Sequence, residues 1–258
     1  PIPWHTLLTG MIFIQIFYWS TNQNITQKAM AAPTVREAQK GVIAAAIVRI
    51  LIIPPIVVIP GVVAYKLFGD IGDAAYGRLV GEVLPPWLAG TFAAAIAAAV
   101  ITTFSAVLNS SVALYAVDFH DQYIGKVRNF WRLSATRSVA ITVVAILMVP
   151  VFQNADSIIN LLQQLNGLSS MPILSAFIVG LLFRGVGAPA AVVGVLWGFL
   201  LYAAYSFWWQ PAGIITLHYI HFMVIVLATS VIAALAANRW LLGNRAEYIG
   251  LAVVRGTA

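Results

Sequence analysis

The stretch from Gly41 to Tyr65, GVIAAAIVRILIIPPIVVIPGVVAY, decides the class of fold because Arg49 is its only charged residue. An apolar run of about 20 residues is long enough to cross a bilayer as an α-helix. A charge at membrane depth costs at least about 2.5–3.5 kcal/mol, so such residues usually face a cavity or a partner. We therefore expect Arg49 to line a solute pathway. The alternative is that its long side chain snorkels toward the cytoplasmic surface.

The composition of the whole chain agrees with a membrane setting. Hydrophobic residues make up 61% and charged residues 9%, whereas roughly 25% of a soluble domain is charged. The chain has no cysteine, which excludes a disulfide framework, a thiol nucleophile and a cysteine metal site. It starts at Pro1, without a methionine or a visible signal peptide, so we expect a piece of a longer protein. These features predict a multi-pass protein of the plasma (inner) membrane.

Apolar windows recur along the chain and predict seven membrane-spanning helices. Helices are favoured over barrel strands, which need only about 9–11 alternating residues. The first window is interrupted by a polar run, and the connection 66–86 should fold as short helices. The tail after Arg239 should lie at the cytoplasmic interface. The predicted spans are Leu7–Met30, Gly41–Tyr65, Pro86–Val117, Ser138–Phe152, Ile158–Phe183, Pro189–Phe207 and Ile220–Ala237.

Basic residues predict the orientation of these helices. If Pro1 starts outside, the outer segments contain only Lys66 and Arg78 as basic residues, as the positive-inside rule requires. The net charge of +6 is then explained by the orientation of the chain in the membrane. We expect the lipid bilayer rather than nucleic acid as a partner. The inner segments contain Lys28, Arg36, Lys40, Lys126, Arg128, Arg132, Arg137, Arg184, Arg239, Arg245 and Arg255.

A first polar group interrupts the first span. Gln15, Tyr18 and Asn22 recur at i, i+3 and i+7, which is one face of a helix. They run into the sequence STNQN at residues 20–24. Such a run fits a broken helix that lines a cavity, where freed backbone groups find partners. The alternative is a helix that simply ends early at the cytoplasmic surface.

A second polar group lies in the third span. Thr102, Ser105 and Asn109 share a helix face, and Ala99 lies one turn before them. Hydroxyl and carbonyl oxygens are hard ligands that suit a small cation such as sodium. The alternative is ordinary hydrogen bonding of these hydroxyls to a carbonyl one turn earlier, which is common in membrane helices.

A third polar group, QQLNG at residues 163–167, lies in the fifth span. Side-chain amides offer donors and acceptors together, which suits a polyol better than an ion. The alternative is hydrogen bonding between helices.

His218 and His221 form an i, i+3 pair that could touch one metal. Since no carboxylate is close in sequence, interfacial histidines are the favoured interpretation. No nucleophile elbow, phosphate loop or HExxH motif occurs in the chain, so we expect no enzyme.

Several motifs together resemble the sodium/solute symporter family, most closely its sodium/glucose cotransporter branch. They are FYWSTNQ at 17–23 with ITQ at 25–27, EAQKG at 37–41, VLNSS at 107–111 with Asp118, and Leu162-Gln163 with Gly167 and Pro172. The similarity runs from about Leu7 to Arg239.

The resemblance implies an all-α polytopic fold. Residues 1–183 would be the second inverted repeat, with five helices, of a leucine-transporter-type fold. Residues 184–258 would be two peripheral helices and a cytoplasmic tail. The preceding N-terminal helices of the same transporter, which include the other broken helix, would be missing.

The resemblance also implies site residues for a sugar. Tyr18 matches the aromatic residue that closes the sugar site toward the cytoplasm, and Gln15 matches a polar sugar contact. Gln163 matches a sugar-binding glutamine, and Arg49 stands where relatives have a lysine. Arginine is a planar, permanently charged fork rather than a compact ammonium. It can donate to hydroxyl groups, yet it also favours a carboxylate.

The same resemblance implies a sodium site in the third span. The carbonyl of Ala99 and the hydroxyls of Thr102 and Thr103 would bind the ion. Ser105 is present but Ala106 lacks a hydroxyl, so we expect one sodium ion per transport cycle.

The function that follows is sodium-coupled symport of a sugar or polyol, similar to glucose or galactose, by alternating access. The alternatives are symport of an acidic sugar or myo-inositol, and a solute sensor that does not transport. A channel would need a continuous ring of polar groups, whereas the polar residues form discrete clusters.

Overall fold

The computed structural model describes residues 3–127, 129–153 and 158–250 and is almost entirely helical in this part. In chain order the helices are α1 (Gly10–Ser20), α2 (Gln23–Met30), α3 (Val35–Phe68), α4 (Ala75–Val83), α5 (Pro86–Leu114), α6 (Phe130–Gln153), α7 (Ile158–Leu182), α8 (Ala188–Ala204) and α9 (Tyr219–Trp240). Short 3-10 helices cover Trp4–Leu8 and Gly72–Ala74. The predicted all-α class is confirmed.

Six of the described helices are long and apolar enough to cross a membrane, namely α3 and α5 to α9. The predicted first span, Leu7–Met30, instead contains the two shorter helices α1 and α2, separated by Thr21 and Asn22. The predicted interruption by polar residues is therefore confirmed.

Two predicted helix starts were wrong because the polar first turns belong to the helices. α3 begins at Val35 rather than Gly41, since the Thr34 hydroxyl accepts a hydrogen bond of 3.2 Å from the Glu37 N–H and caps the helix. This is half of a capping box, a signal that a search for apolar runs overlooks. α6 begins at Phe130 rather than Ser138, where Asn129 Oδ1 accepts a bond of 3.1 Å from the backbone N–H of Arg132.

Two helices continue past their regular ends in a wider π-helical winding. α5 extends through Tyr115–Ile124, and α8 extends through Tyr205–Trp209. The predicted ends, Val117 and Phe207, both fall inside these extensions.

The chain divides into two compact units, which are described separately. The first unit contains residues 1–25 and 159–258, and the second contains residues 26–158. The predicted boundary between the inverted repeat and the peripheral helices, at 183/184, stays a prediction.

The first unit is built around the pairing of α8 with α9. Glycines in α8 make this approach close: a Cβ on Gly194 would lie 2.7 Å from the carbonyl oxygen of Ser230. A Cβ on Gly198 would lie 2.1 Å from the Ser230 hydroxyl. Small residues of this kind let membrane helices approach backbone to backbone. The core around the pair consists of Ile14, Met171, Leu174, Tyr202, Tyr205, Tyr219, Ile220, Phe222, Met223, Val226 and Leu227.

Both ends of the α8–α9 pair are tied by side chains. At one end, the fully buried Asn238 accepts a bond of 3.0 Å from the Gly187 N–H and donates one of 3.1 Å to the Gly185 carbonyl. At the other end, the Tyr205 hydroxyl donates to the carbonyl of Leu217. The tail adds a short antiparallel strand pair, β1 (Phe183–Arg184) with β2 (Glu247–Tyr248), which was not predicted.

The second unit contains α3 to α6. The connection 66–86 folds as the 3-10 helix and α4, as predicted. The guanidinium of Arg137 lies 4.5 Å from the centroid of the Tyr115 ring and so joins α6 to the π-helical extension of α5. Of the basic residues used to predict the orientation, Arg128 and Arg255 lie outside the described residues.

Candidate functional site

The break between α1 and α2 is stabilised by its own polar side chains. The Thr21 hydroxyl donates to the carbonyl of Phe17 at 2.9 Å, and the Ser20 hydroxyl donates to the carbonyl of Ile16. Asn22 Oδ1 accepts a bond of 3.0 Å from the Asn24 N–H at the start of α2. Asparagine is a strong helix N-cap. Asn22 thus satisfies a freed N–H at the start of α2, while the Ser20 and Thr21 hydroxyls back-bond to carbonyls of α1.

Two of the predicted sugar contacts, Gln15 and Tyr18, lie on α1 just before this break. Both side chains are exposed. Gln15 Oε1 accepts a hydrogen bond of 3.1 Å from the indole N–H of Trp19, so the amide oxygen has an orienting partner. The rings of Tyr18 and Trp19 meet edge to face, with centroids 5.4 Å apart.

The third predicted sugar contact, Gln163, lies on α7 and touches α1. Its Nε2 lies 3.9 Å from the thioether sulfur of Met11, a weak acceptor. Met11, Gln15 and Tyr18 are spaced i, i+4 and i+7, so they share one face of α1. Gln15, Tyr18 and Gln163 therefore belong to the same unit, and α7 contacts the face of α1 that carries the other two.

Neighbouring amides of α7 make different contacts. Asn166 Nδ2 donates to Gln163 Oε1 at 3.3 Å. This bond uses the amide oxygen of Gln163 and does not involve its amide hydrogens. Gln164 donates to Gln210 Oε1 at 3.0 Å. Gln210 is the turn residue that follows the α8 extension, so Gln164 has a structural hydrogen bond within the first unit.

Arg49 lies inside α3, in the second unit. Its side chain is exposed, on a helix whose neighbouring residues are also exposed. The structure does not bring Arg49 into the first unit, where the other predicted sugar contacts lie.

The three predicted sodium ligands lie together on α5, also in the second unit. The hydroxyls of Thr102 and Thr103 each donate to the Ala99 carbonyl oxygen, both at 2.9 Å. Three oxygens, one carbonyl and two hydroxyls, thus form one cluster on an exposed helix surface. These are the bonds expected for the back-bonding alternative. A hydroxyl that donates to a carbonyl still has lone pairs with which to bind a cation.

Three histidines gather at the N-terminal end of α9. His218 caps the helix, since its Nδ1 accepts from the Ile220 N–H at 3.3 Å. Its ring centroid lies 6.4 Å from that of His221. The pKa of His218 is lowered below its usual value, mainly by burial and to a lesser extent by the neighbouring His221 and His5. Within the described ranges, no group of three or more histidine, aspartate or glutamate side chains is arranged to hold a metal.

Comparisons with known proteins agree with the helical pattern and the motifs. The sodium:solute symporter family matches residues 1–198. The chain is 32% identical over 213 residues to the symporter YidK of Escherichia coli (strain K12). This alignment covers 80% of the chain and 37% of YidK. The chain is 30% identical over 211 residues to a sodium/glucose cotransporter of Vibrio parahaemolyticus, covering 74% of the chain and 39% of that protein.

A more distant relative matches a larger share of the chain. Sodium/myo-inositol cotransporter 2 of Rattus norvegicus is 25% identical over 273 residues, covering 92% of the chain. The chain spans about two fifths of the length of these relatives. With its six long apolar helices, it is an integral, multi-pass membrane protein. The chain belongs to the sodium:solute symporter family.

Proposed function

We propose that this chain is part of a sodium-coupled symporter for a neutral sugar or polyol. The observation that carries the proposal is the family match over residues 1–198. Two relatives support the class of substrate, because one is a sodium/glucose cotransporter and another a sodium/myo-inositol cotransporter. The contact of Gln163 with Met11, on the α1 face that also carries Gln15 and Tyr18, supports a shared role for these three proposed sugar residues.

The chemistry of the proposed sugar residues suits a polyol. The amide groups of Gln15 and Gln163 each offer donors and acceptors, which match hydroxyl groups that both donate and accept. Tyr18 adds an aromatic ring with an apolar face and a polar tip. Arg49 contributes donors only, so it is the residue that separates a neutral sugar from an acidic one.

The proposed sodium ligands are Ala99, Thr102 and Thr103. The cluster has no formal charge, so sodium would bind weakly enough to leave again. In the proposed cycle, sodium binding stabilises the state open to the outside, the sugar binds near the midplane, and rocking exposes both to the cytoplasm. We expect helices of the same symporter outside this chain, which spans about two fifths of the length of its relatives, to supply the remaining ligands.

A direct test is uptake by the full-length protein in proteoliposomes. Labelled glucose, galactose, myo-inositol and glucuronate would be offered under an inward sodium gradient and under a matched potassium gradient. The proposal expects uptake of at least one neutral compound that depends on sodium. Uptake of glucuronate alone would identify an acidic-sugar symporter instead. Sodium-dependent binding without uptake would identify a sensor, and uptake without sodium coupling would contradict symport.

A further inference from the structure

A histidine pair that the proposed transport site does not use lies where the short helix Trp4–Leu8 meets the N-terminal end of α9. His5 Nδ1 lies 2.8 Å from His221 Nε2, and the two residues are 216 positions apart in the chain. The ring planes differ by 7°, and the centroids are 4.8 Å apart. The 4.8 Å between the ring centroids is close to the sum of the 2.8 Å between the two nitrogens and the radii of the two rings. The imidazoles therefore meet edge to edge, with their nitrogens facing each other.

A hydroxyl lies against the second nitrogen of one of these rings. Thr9 Oγ1 is 2.8 Å from His221 Nδ1 and 3.2 Å from the Thr6 carbonyl oxygen. When the Thr9 hydroxyl donates to the Thr6 carbonyl, it accepts from a protonated Nδ1 of His221. In the neutral ring the other nitrogen, Nε2, carries a lone pair. That lone pair faces His5. Holding the second nitrogen in this way is what orients histidine ligands in metal sites.

The pair lines an open cavity of about 630 Å³. Its walls also include His218 and residues 214–217. His5 is exposed on the short helix Trp4–Leu8, so a solvated ion can reach it. The charges of the loops predict that this end of α9 faces the outside of the membrane.

We propose that His5 and His221 bind a divalent transition-metal ion such as Zn²⁺ in this cavity. Imidazole nitrogen is a preferred ligand of zinc, copper and nickel. Zinc–nitrogen bonds of about 2.0–2.1 Å with tetrahedral angles place two ligand nitrogens roughly 3.3 Å apart. To bind one ion, the observed 2.8 Å has to widen by about 0.5 Å, and the rings have to turn so that both lone pairs point at the ion, which the exposed His5 permits. Water completes the coordination, so the ion exchanges with the medium.

His218 lies outside this ligand pair. Its Nδ1 is occupied as the cap of α9, and its ring is 6.4 Å from that of His221. His218→Asn keeps a capping side chain and removes the imidazole, so it serves as a matched control. His120 is the remaining histidine of the four in the chain. It belongs to the second unit, and His120→Ala serves as a second control.

The test measures Zn²⁺ affinity by competition with a chromophoric chelator at pH 7.5, using the purified full-length protein. The double variant His5→Ala/His221→Ala supplies the background from other sites. We expect His5→Ala and His221→Ala each to weaken Zn²⁺ binding at least tenfold. Thr9→Val should weaken it about tenfold, the lower end of the effect of outer-shell partners. His218→Asn and His120→Ala should stay within threefold of the parent.

Three results would overturn the proposal: no saturable Zn²⁺ binding above the background, unchanged affinity in His5→Ala, or an equal loss in His120→Ala. The first would mean that the two imidazoles share only a proton. His5→Ala is decisive if His221→Ala does not fold, because His5 is exposed. Binding is measured without transport, so the result does not depend on the proposed function.

Discussion

The side-chain amide of Gln163 contacts the sulfur of Met11 at 3.9 Å, and this contact joins α7 to α1. The two residues are 152 positions apart. Because Met11 shares its helix face with Gln15 and Tyr18, the contact places α7 against the face of α1 that carries these two proposed sugar residues.

Gln163→Ala should weaken sugar binding more than sodium binding. A site built to hydrogen-bond hydroxyls is penalised when one of its partners is removed. A lost buried hydrogen bond costs about 1–3 kcal/mol, so the apparent KM for sugar should rise roughly tenfold or more. Transport kinetics at saturating sodium measure this effect. Gln164→Ala is the matched control, since its amide is bonded to Gln210. Equal losses for sugar and sodium would indicate general misfolding.

Thr103→Ala should raise the sodium concentration needed for half-maximal uptake several-fold, because it removes a proposed hydroxyl ligand. Thr103→Ser keeps the hydroxyl and should change little. Thr229 in α9 makes the same kind of back-bond, 2.8 Å to the Ile225 carbonyl. Thr229→Ala therefore separates ion binding from helix back-bonding. If both alanine variants give the same sodium dependence as the parent, the sodium assignment is wrong.

Substitutions of Arg49 decide between a neutral and an acidic sugar. Arg49→Lys keeps the charge but loses the planar fork. For a neutral sugar, transport should survive with an altered preference among hexoses. For an acidic sugar held by two parallel bonds, affinity should fall about tenfold or more, because such bidentate pairs are the stronger ones. Uptake of labelled neutral and acidic sugars measures the difference. Arg49→Ala should damage either transporter, and intact uptake would show that Arg49 only snorkels.

Gly10→Ala should destabilise the first unit. An added Cβ would lie 1.9 Å from the backbone carbonyl oxygen of Ile220, so α1 and α9 would have to separate. Overpacking of this kind costs about 1–3 kcal/mol. Thermal unfolding of the detergent-solubilised protein measures the loss. Gly180→Ala is the control, because an added Cβ there meets no described atom within 4 Å. A Gly10→Ala protein as stable as the control would contradict the close approach.

The sequence predicted the helices well where apolar length was the signal. The start of α7 at Ile158 and the presence of α9 follow from hydropathy, and the polar run at residues 20–24 predicted the break before α2. The errors at Val35 and Phe130 arose where capping by Thr34 and Asn129 extends a helix into charged sequence.

Contacts between distant parts of the chain were beyond sequence reasoning. The i, i+3 spacing predicted that His221 would pair with His218, whereas in the structure His221 pairs with His5. No local pattern carries that information, because the partner is set by the packing of α1 on α9. The roles of Gln15, Tyr18, Arg49 and Gln163 in sugar binding, and of the α5 oxygens in sodium binding, stay predictions.

The ties at both ends of α8 and α9 have a consequence for local unfolding. Asn238 holds one end, Tyr205 holds the other, and the glycine contacts with Ser230 close the middle. Fraying that starts at either end must break a buried hydrogen bond before it can spread, so the two helices open together or not at all. Regions that open only with the whole structure exchange their amide hydrogens most slowly. We therefore expect the backbone amides of α8 and α9 to be among the slowest to exchange in the first unit.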